Sequence, residues 1–236
     1  MSIDKLYKYL YNKLLSVFIL LITLLCGSHK AFAKPVEGVP VVIEIIEPVG
    51  KIFSSERFAD LKGYTTDGFE IKQWKNRIVV YTHTSNPMEL MDRIVKDYPG
   101  DKVVLFDKPF YNFYRKYCID KSEAKHWDNI ILTANLVADP KKQAEYLEYH
   151  RTQFEKWPEV SQGFCNASFQ QVLVFKNGRQ LMLIISIPKG ESLDKLNPLT
   201  TKNNPRVDEW NKIMAKYQEG IEGTKPGETW VFLKPL

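Results

Sequence analysis

From residue 39 onward the chain alternates between two hydrophobic periods. Val39 to Glu47 (VPVVIEIIE) is crowded with β-branched residues and predicts a strand. Ser54 to Leu61 predicts a short helix. Phe69 to Trp74 and Arg77 to Thr82 predict two strands joined at Lys75-Asn76. Asn86-Pro87-Met88-Glu89 then opens a helix running to about Asp97: Asn caps, Pro fits the first turn, and Glu stands third after the cap. Lys102 to Phe106 closes the segment as a strand. The order is β-α-β-β-α-β.

The same order returns. Ile130 to Ala138 predicts a strand, and Asp139-Pro140 opens a long helix reaching Trp157. Phe169 to Phe175 and Gln180 to Ile187 predict strands around Lys176-Asn177-Gly178-Arg179, where Asn-Gly is a hairpin signal because both residues tolerate positive φ. Asn204-Pro205 starts a helix to about Tyr217, and Thr229 to Leu233 is the last strand. WKNRIVVY echoes FKNGRQLML, and both halves use an Asn-Pro helix start. The fold class expected is therefore α+β, with tandem ferredoxin-like β-α-β-β-α-β repeats. An antiparallel sheet with both helices on one face leaves a second apolar face. Two such sheets can cover each other as in a dimeric α+β barrel, here within one chain; two independent units joined by residues 108–128 are the other arrangement. That connector carries Phe110, Tyr111, Phe113, Tyr114 and Tyr117, which points to packing rather than a free linker.

The N-terminus changes the charge picture. Lys5, Lys8 and Lys13 precede an apolar run of 13 residues, Leu14 to Cys26, and Ala31-Phe32-Ala33 gives the small-x-small pattern before a cut. The run is short of the ~20 residues that span a bilayer. Residues 1–33 are thus expected to be a signal peptide, leaving an exported, periplasmic or secreted protein with no stable membrane insertion. Leu24-Leu25-Cys26-Gly27 offers lipid anchoring through Cys26 as a minor alternative. The formal charge of +5 falls to +2 once Lys5, Lys8, Lys13, Lys30 and Asp4 are set aside, with 29 basic and 27 acidic residues left. No Lys/Arg run interleaved with aromatics tracks a phosphate backbone, so nucleic acid is a poor partner. Cys118 and Cys165 remain; export permits a disulfide, and two buried free thiols are an equal reading. No CxxC or His/Cys cluster suggests a metal.

Candidate chemistry gathers on the helix opened by Pro140. Tyr146 and His150 are four apart and share a face, and Trp157 falls on it too if the helix continues. Taken alone, such a stripe is more often core aromatics beside a capped or solvent-facing histidine. The surrounding residues add to it: Trp157-Pro158-Glu159, Gly163-x-x-Asn166 before a strand, Asn177-Gly178-Arg179, Trp210-x-x-x-Met214 and the final Trp230-Val231-Phe232. In this order they resemble the L-rhamnose mutarotase family of small α+β sugar epimerases over about residues 130–236. The resemblance implies that His150 is the catalytic histidine, Tyr146 the tyrosine that contacts the sugar, and Trp210 a tryptophan of the sugar pocket. Trp157, Asn166 and Glu159 join them as candidate sugar contacts, Glu159 as an acceptor for a sugar hydroxyl. The chain departs from the pattern in three places. The interval from His150 to Trp157 is about three residues longer than in short members, Ala167 stands where they place a tyrosine, and Asn211 where a second tryptophan can stand.

The division implied is a signal peptide at 1–33, a first ferredoxin-like repeat at 34–120 and a mutarotase-like domain at 121–236. At the position of the catalytic helix the first repeat has Ser55-Glu56-Arg57-Phe58-Ala59-Asp60-Leu61, without Tyr or His, and is expected to be a non-catalytic packing partner. The activity implied is interconversion of the α and β anomers of L-rhamnose or a similar 6-deoxy sugar, by His-centred ring opening that needs no cofactor. The partner is a monosaccharide, and the assembly a homodimer or an intrachain pseudo-dimer. Two other readings are an exported sugar-binding or accessory protein without turnover, and a haem-related dimeric α+β barrel protein.

Overall fold

The computed structural model describes residues 38–48, 56–58, 61 and 69–236. The signal segment, Cys26 and half of the expected helix Ser54 to Leu61 lie outside the described residues; of that helix, residues 56–58 form a 3-10 turn, and Phe58 and Leu61 are fully buried. Residues 36–236 form one compact unit.

The first repeat supplies β1 (Val39–Ile46), β2 (Glu70–Trp74), β3 (Arg77–Thr84), α1 (Pro87–Asp97) and β4 (Lys102–Phe106). Asn86 caps α1 reciprocally with Glu89: its Oδ1 accepts the Glu89 amide at 3.4 Å while its amide donates to Glu89 Oε2 at 2.8 Å. The connector then forms β5 (Pro109–Tyr114), which the sequence pattern did not anticipate. The second repeat supplies β6 (Trp127–Leu136), α2 (Pro140–Arg151), α3 (Gln153–Lys156), α4 (Pro158–Asn166), β7 (Gln171–Asn177) and β8 (Gln180–Pro188). It continues through the short turns α5 (Leu193–Leu196) and α6 (Pro198–Thr201) to α7 (Pro205–Met214), β9 (Gln218–Glu219), β10 (Val231–Phe232) and β11 (Lys234–Pro235).

The two sheets run β11-β2-β3-β1-β4 and β10-β6-β8-β7-β5, and every pairing is antiparallel. Each has the ferredoxin-like order, its first strand between the fourth and third. Each also carries a fifth strand from the other repeat: β5 follows β4 but pairs with β7, and β11 follows β10 but pairs with β2. Both crossings use the pattern Phe-x-Lys-Pro, at Phe106 to Pro109 and Phe232 to Pro235. The exchange makes the chain an intrachain pseudo-dimer. Val42, Val79, Tyr81 and Phe106 of one sheet meet Ile131, Leu173, Phe175, Met182 and Ile184 of the other in a fully buried layer. The opposite face of the first sheet packs Ile43, Ile45, Ile78 and Val80 against Phe58, Leu61, Leu90, Ile94 and Tyr98.

Three local expectations are corrected. The helix from Pro140 does not reach Trp157. It ends at Arg151, where Thr152 turns its hydroxyl back to the Glu148 carbonyl at 2.9 Å. Pro158 then forces Trp157 out of helical geometry (φ −136°, ψ 50°), because the proline ring clashes with a helical residue before it. The second hairpin turns one residue later than Asn-Gly suggests: Asn177 pairs with Gln180, and Gly178 alone takes positive φ (56°). In the first hairpin Trp74 pairs with Arg77, so the WKN and FKN echoes are two residues out of structural register. The last strand is split between the two sheets.

Cys118, just beyond β5, is disulfide-bonded to Cys165 on α4 across 47 residues of chain. Closing a loop of that length in the unfolded chain stabilises by about 4 kcal/mol on an entropy model. Replacing both cysteines by serine is therefore expected to lower unfolding free energy by up to about 4 kcal/mol in urea titration. Identical midpoints for the two proteins would mean that the sulfurs do not bond.

Candidate active site

The site is built outward from α2. Asp139 fixes its start by accepting the Lys141 and Lys142 amides at 2.8 and 3.4 Å, with Pro140 in the first turn. The i, i+4 spacing stacks Tyr146 against His150, ring centroids 4.3 Å apart and both buried. The His150 Nδ1–H donates to the Tyr146 carbonyl at 2.9 Å. A carbonyl carries no proton, so this bond selects the Nδ1–H tautomer and leaves the Nε2 lone pair as the basic position. Burial pushes the His150 pKa down to about 4. Burial pushes the Tyr146 phenol up, and a bond from Gln218 pulls partly the other way.

These side chains open on a cavity of about 390 Å³ between the helices and the second sheet. Val172, Val174, Leu183 and Ile185 of β7 and β8 form its floor, and Trp210 and Met214 of α7 and Phe164 of α4 wall it. Polar groups are few: Asn197, Asn211, Gln218 and Thr229. Gly163 lets α4 lie against α6, since a Cβ there would stand 2.6 Å from the Thr200 carbonyl oxygen. Among the described residues no group of three His, Cys, Asp or Glu side chains gathers as a metal-ligand set.

The first repeat enters the site through β5. Tyr111 lines the cavity 5.2 Å from the His150 ring, and Phe110 lies 5.6 Å from it. The Tyr111 hydroxyl donates to Gln153 Oε1 at 2.7 Å, and Gln153, fully buried, donates onward to the Trp157 carbonyl at 2.6 Å. The Thr152 break thus has a use: it turns Gln153 inward to hold Tyr111. With Trp210 5.3 Å away, aromatic rings surround His150.

Of the residues expected from sequence, the structure brings together Tyr146, His150 and Trp210. Trp157 stands behind them, 5.7 Å from Trp210, with the Arg206 guanidinium 3.8 Å over its ring. Asn166 is exposed and accepts from Gln162 at 3.0 Å, and Glu159 sits beside Arg206 at 3.9 Å. None of these three lines the cavity. Both helix breaks account for this, because Trp157 and Glu159 inherit their directions from α4 rather than α2. Ala167 is fully buried outside the cavity wall, whereas Asn211 lines it. Tyr111 and Gln218 were missed. Tyr111 reaches the site by a strand exchange between repeats, and Gln218 has no spacing relation to His150. The one available signal was the aromatic density of residues 110–117.

A family model described as L-rhamnose mutarotase matches residues 130–236. The chain is 30% identical over 88 residues to an L-fucose mutarotase from Xanthomonas campestris pv. campestris, covering 37% of this chain and 68% of that protein. This chain belongs to the L-rhamnose mutarotase family. The protein is a carbohydrate isomerase of the mutarotase class. A heme-degrading enzyme from Listeria monocytogenes is 13% identical, with a TM-score of 0.42 over 84% of this chain and 99% of its own.

The buried imidazole has a measurable consequence. Its folded pKa lies below the unfolded value near 6.5, so the unfolded chain binds the extra proton as pH falls from about 6.5 toward 4. His150 therefore contributes stability that is fully present above pH 6.5 and lost on acidification, on the order of 2–3 kcal/mol by pH 4.5. Urea unfolding at pH 7 and pH 4.5 is expected to show this loss in the wild type and a smaller one in His150→Gln. Equal losses would mean that the imidazole titrates normally.

Proposed function

We propose that the protein interconverts the α and β anomers of L-rhamnose or a similar 6-deoxy sugar, with His150 as general base and Tyr146 as general acid. The observation that carries this reading is the pairing, on one helical face, of an imidazole with a fixed basic Nε2 and a buried phenol at the same cavity. His150 Nε2 takes the proton of the anomeric hydroxyl as the C1–O5 bond breaks and C1 becomes an aldehyde, and Tyr146 delivers its proton to O5. After rotation about C1–C2, O5 returns its proton to the phenolate and attacks the other face of the carbonyl. The new O1 hydroxyl then takes its proton back from the imidazolium. Atoms and charge balance, and each group ends as it began.

The lining supports a deoxy sugar. Trp210 offers a flat apolar surface to pyranose C–H groups, and the aliphatic floor favours a C6 methyl by ~0.8 kcal/mol over leaving it in water. The first repeat acts as the structural half. Its helix-side core is filled with apolar side chains, and its share in the site is Phe110 and Tyr111. Action outside the cytoplasm fits the N-terminal signal pattern and the Cys118–Cys165 bond.

The test is exchange NMR on the protein from Lys34 with L-rhamnose, following magnetisation between the α and β anomeric signals. Wild-type protein is expected to accelerate exchange, with a rate that stays flat down to about pH 5. A folded His150→Ala protein should lose at least about 10²-fold. Unchanged exchange in that variant would remove His150 from the mechanism, and binding without acceleration by the wild type would leave a sugar-binding protein.

A further inference from the structure

Gln218 follows α7 in β9, which pairs with β6, and its side chain enters the cavity wall beside Tyr146. Its amide is held at both ends. The Trp230 indole Nε1–H donates to Gln218 Oε1 at 3.0 Å, and Gln218 Nε2–H donates to the Tyr146 hydroxyl oxygen at 3.2 Å. An indole nitrogen donates and never accepts, so Trp230 fixes which end of the amide is oxygen. The amino end must then face Tyr146. The phenolic oxygen is occupied as an acceptor, and among the described residues no acceptor takes the Tyr146 proton.

We infer that Gln218, oriented by Trp230, is a positioning residue that sets Tyr146 as the proton donor to the substrate. This rests on the acid/base roles proposed above. A neutral amide can face a phenol with either end. With its oxygen toward Tyr146 it would draw the proton away from the cavity; with its amino group there, the proton is left for a ligand oxygen. The same N–H strengthens as the phenol oxygen gains charge during transfer, which stabilises the transition state more than the ground state. It also opposes the upward push of burial on this phenol. The titratable neighbours of Tyr146 are His150, the Tyr217 ring at 6.2 Å and, bonded to the Tyr217 hydroxyl at 3.2 Å, Glu145. None of them replaces the Gln218 donor.

The test is Gln218→Glu, nearly identical in shape, assayed by anomer exchange from pH 5 to 8 beside the wild type. An ionised carboxylate only accepts, so it accepts hydrogen bonds from both the Trp230 indole N–H and the Tyr146 hydroxyl. Exchange is expected to fall about 10²-fold at pH 8 and to recover as pH drops and the new carboxyl protonates, while the wild type stays flat. A merely structural role would not invert the pH profile. Trp230→Phe, which frees the amide to rotate, is expected to lower kcat severalfold with little change in KM, and keeps the inference testable if the first variant folds poorly. An active wild type beside a Gln218→Glu protein of equal rate and flat profile would overturn the role of Gln218 alone. A wild type without activity would overturn the acid/base reading and this inference with it.

Discussion

Each sheet of this protein has two apolar faces and one set of helices to cover them, and the rest of the structure follows from that imbalance. The uncovered face of one repeat is closed by the uncovered face of the other, through Val42, Val79, Tyr81 and Phe106 against Ile131, Leu173, Phe175, Met182 and Ile184. Burial of side chains this large is worth roughly 1.5–3 kcal/mol each relative to exposure, against about 0.5–1.5 kcal/mol net for a typical neutral hydrogen bond. Pairing the two repeats in one chain also removes the concentration dependence of a dimer. The exchanged strands β5 and β11 are then edge strands that cross between repeats already in contact.

That crossing ties architecture to chemistry. β5 continues from the last strand of the first repeat, pairs with β7, and so carries Phe110 and Tyr111 to the ring of His150. The disulfide from Cys118 to α4 anchors the far end of the same segment to the helical layer over the cavity. The first repeat has neither Tyr nor His in Ser55 to Leu61, the segment corresponding to α2, yet it closes one side of the second repeat's site. Loss of its sheet would take Tyr111 with it, and the Gln153 bond that turns α3 inward would lose its partner.

What was legible in the sequence was local and periodic. Val39 to Glu47, the Asn86-Pro87 helix start and the i, i+4 pair on α2 depend on residues close in the chain, and each formed where its pattern placed it. Interruptions were less legible. Thr152 is unremarkable within a helical pattern until its hydroxyl finds the Glu148 carbonyl, and Pro158 follows a residue that could have ended one helix or begun another. Trp157, Asn166 and Glu159 were displaced from the cavity by those breaks. Gln218 and Tyr111 were invisible for a different reason: their relation to His150 is set by sheet order and strand exchange, which leave no short-range trace. Trp210 was found through family resemblance, since its own helical spacing also suits a core residue.

The site reconciles two demands that oppose each other. Surrounding a histidine with aromatic rings strengthens directional contacts and excludes water, but it also disfavours the imidazolium that proton abstraction must form. In an empty apolar pocket that opposition would make His150 a poor base. In the proposed reaction a bound pyranose would change the balance, because its hydroxyls would bring dipoles into the cavity and the phenolate left on Tyr146 would lie beside the imidazolium. In the proposed mechanism the two charges would arise together on rings 4.3 Å apart, so each would lower the cost of the other. Neither group is suited to ionise alone in this environment. Coupled through the sugar as proposed, they could, and the same burial that suppresses single ionisation would tie proton movement to the presence of a substrate that has both a hydroxyl to give a proton and a ring oxygen to take one.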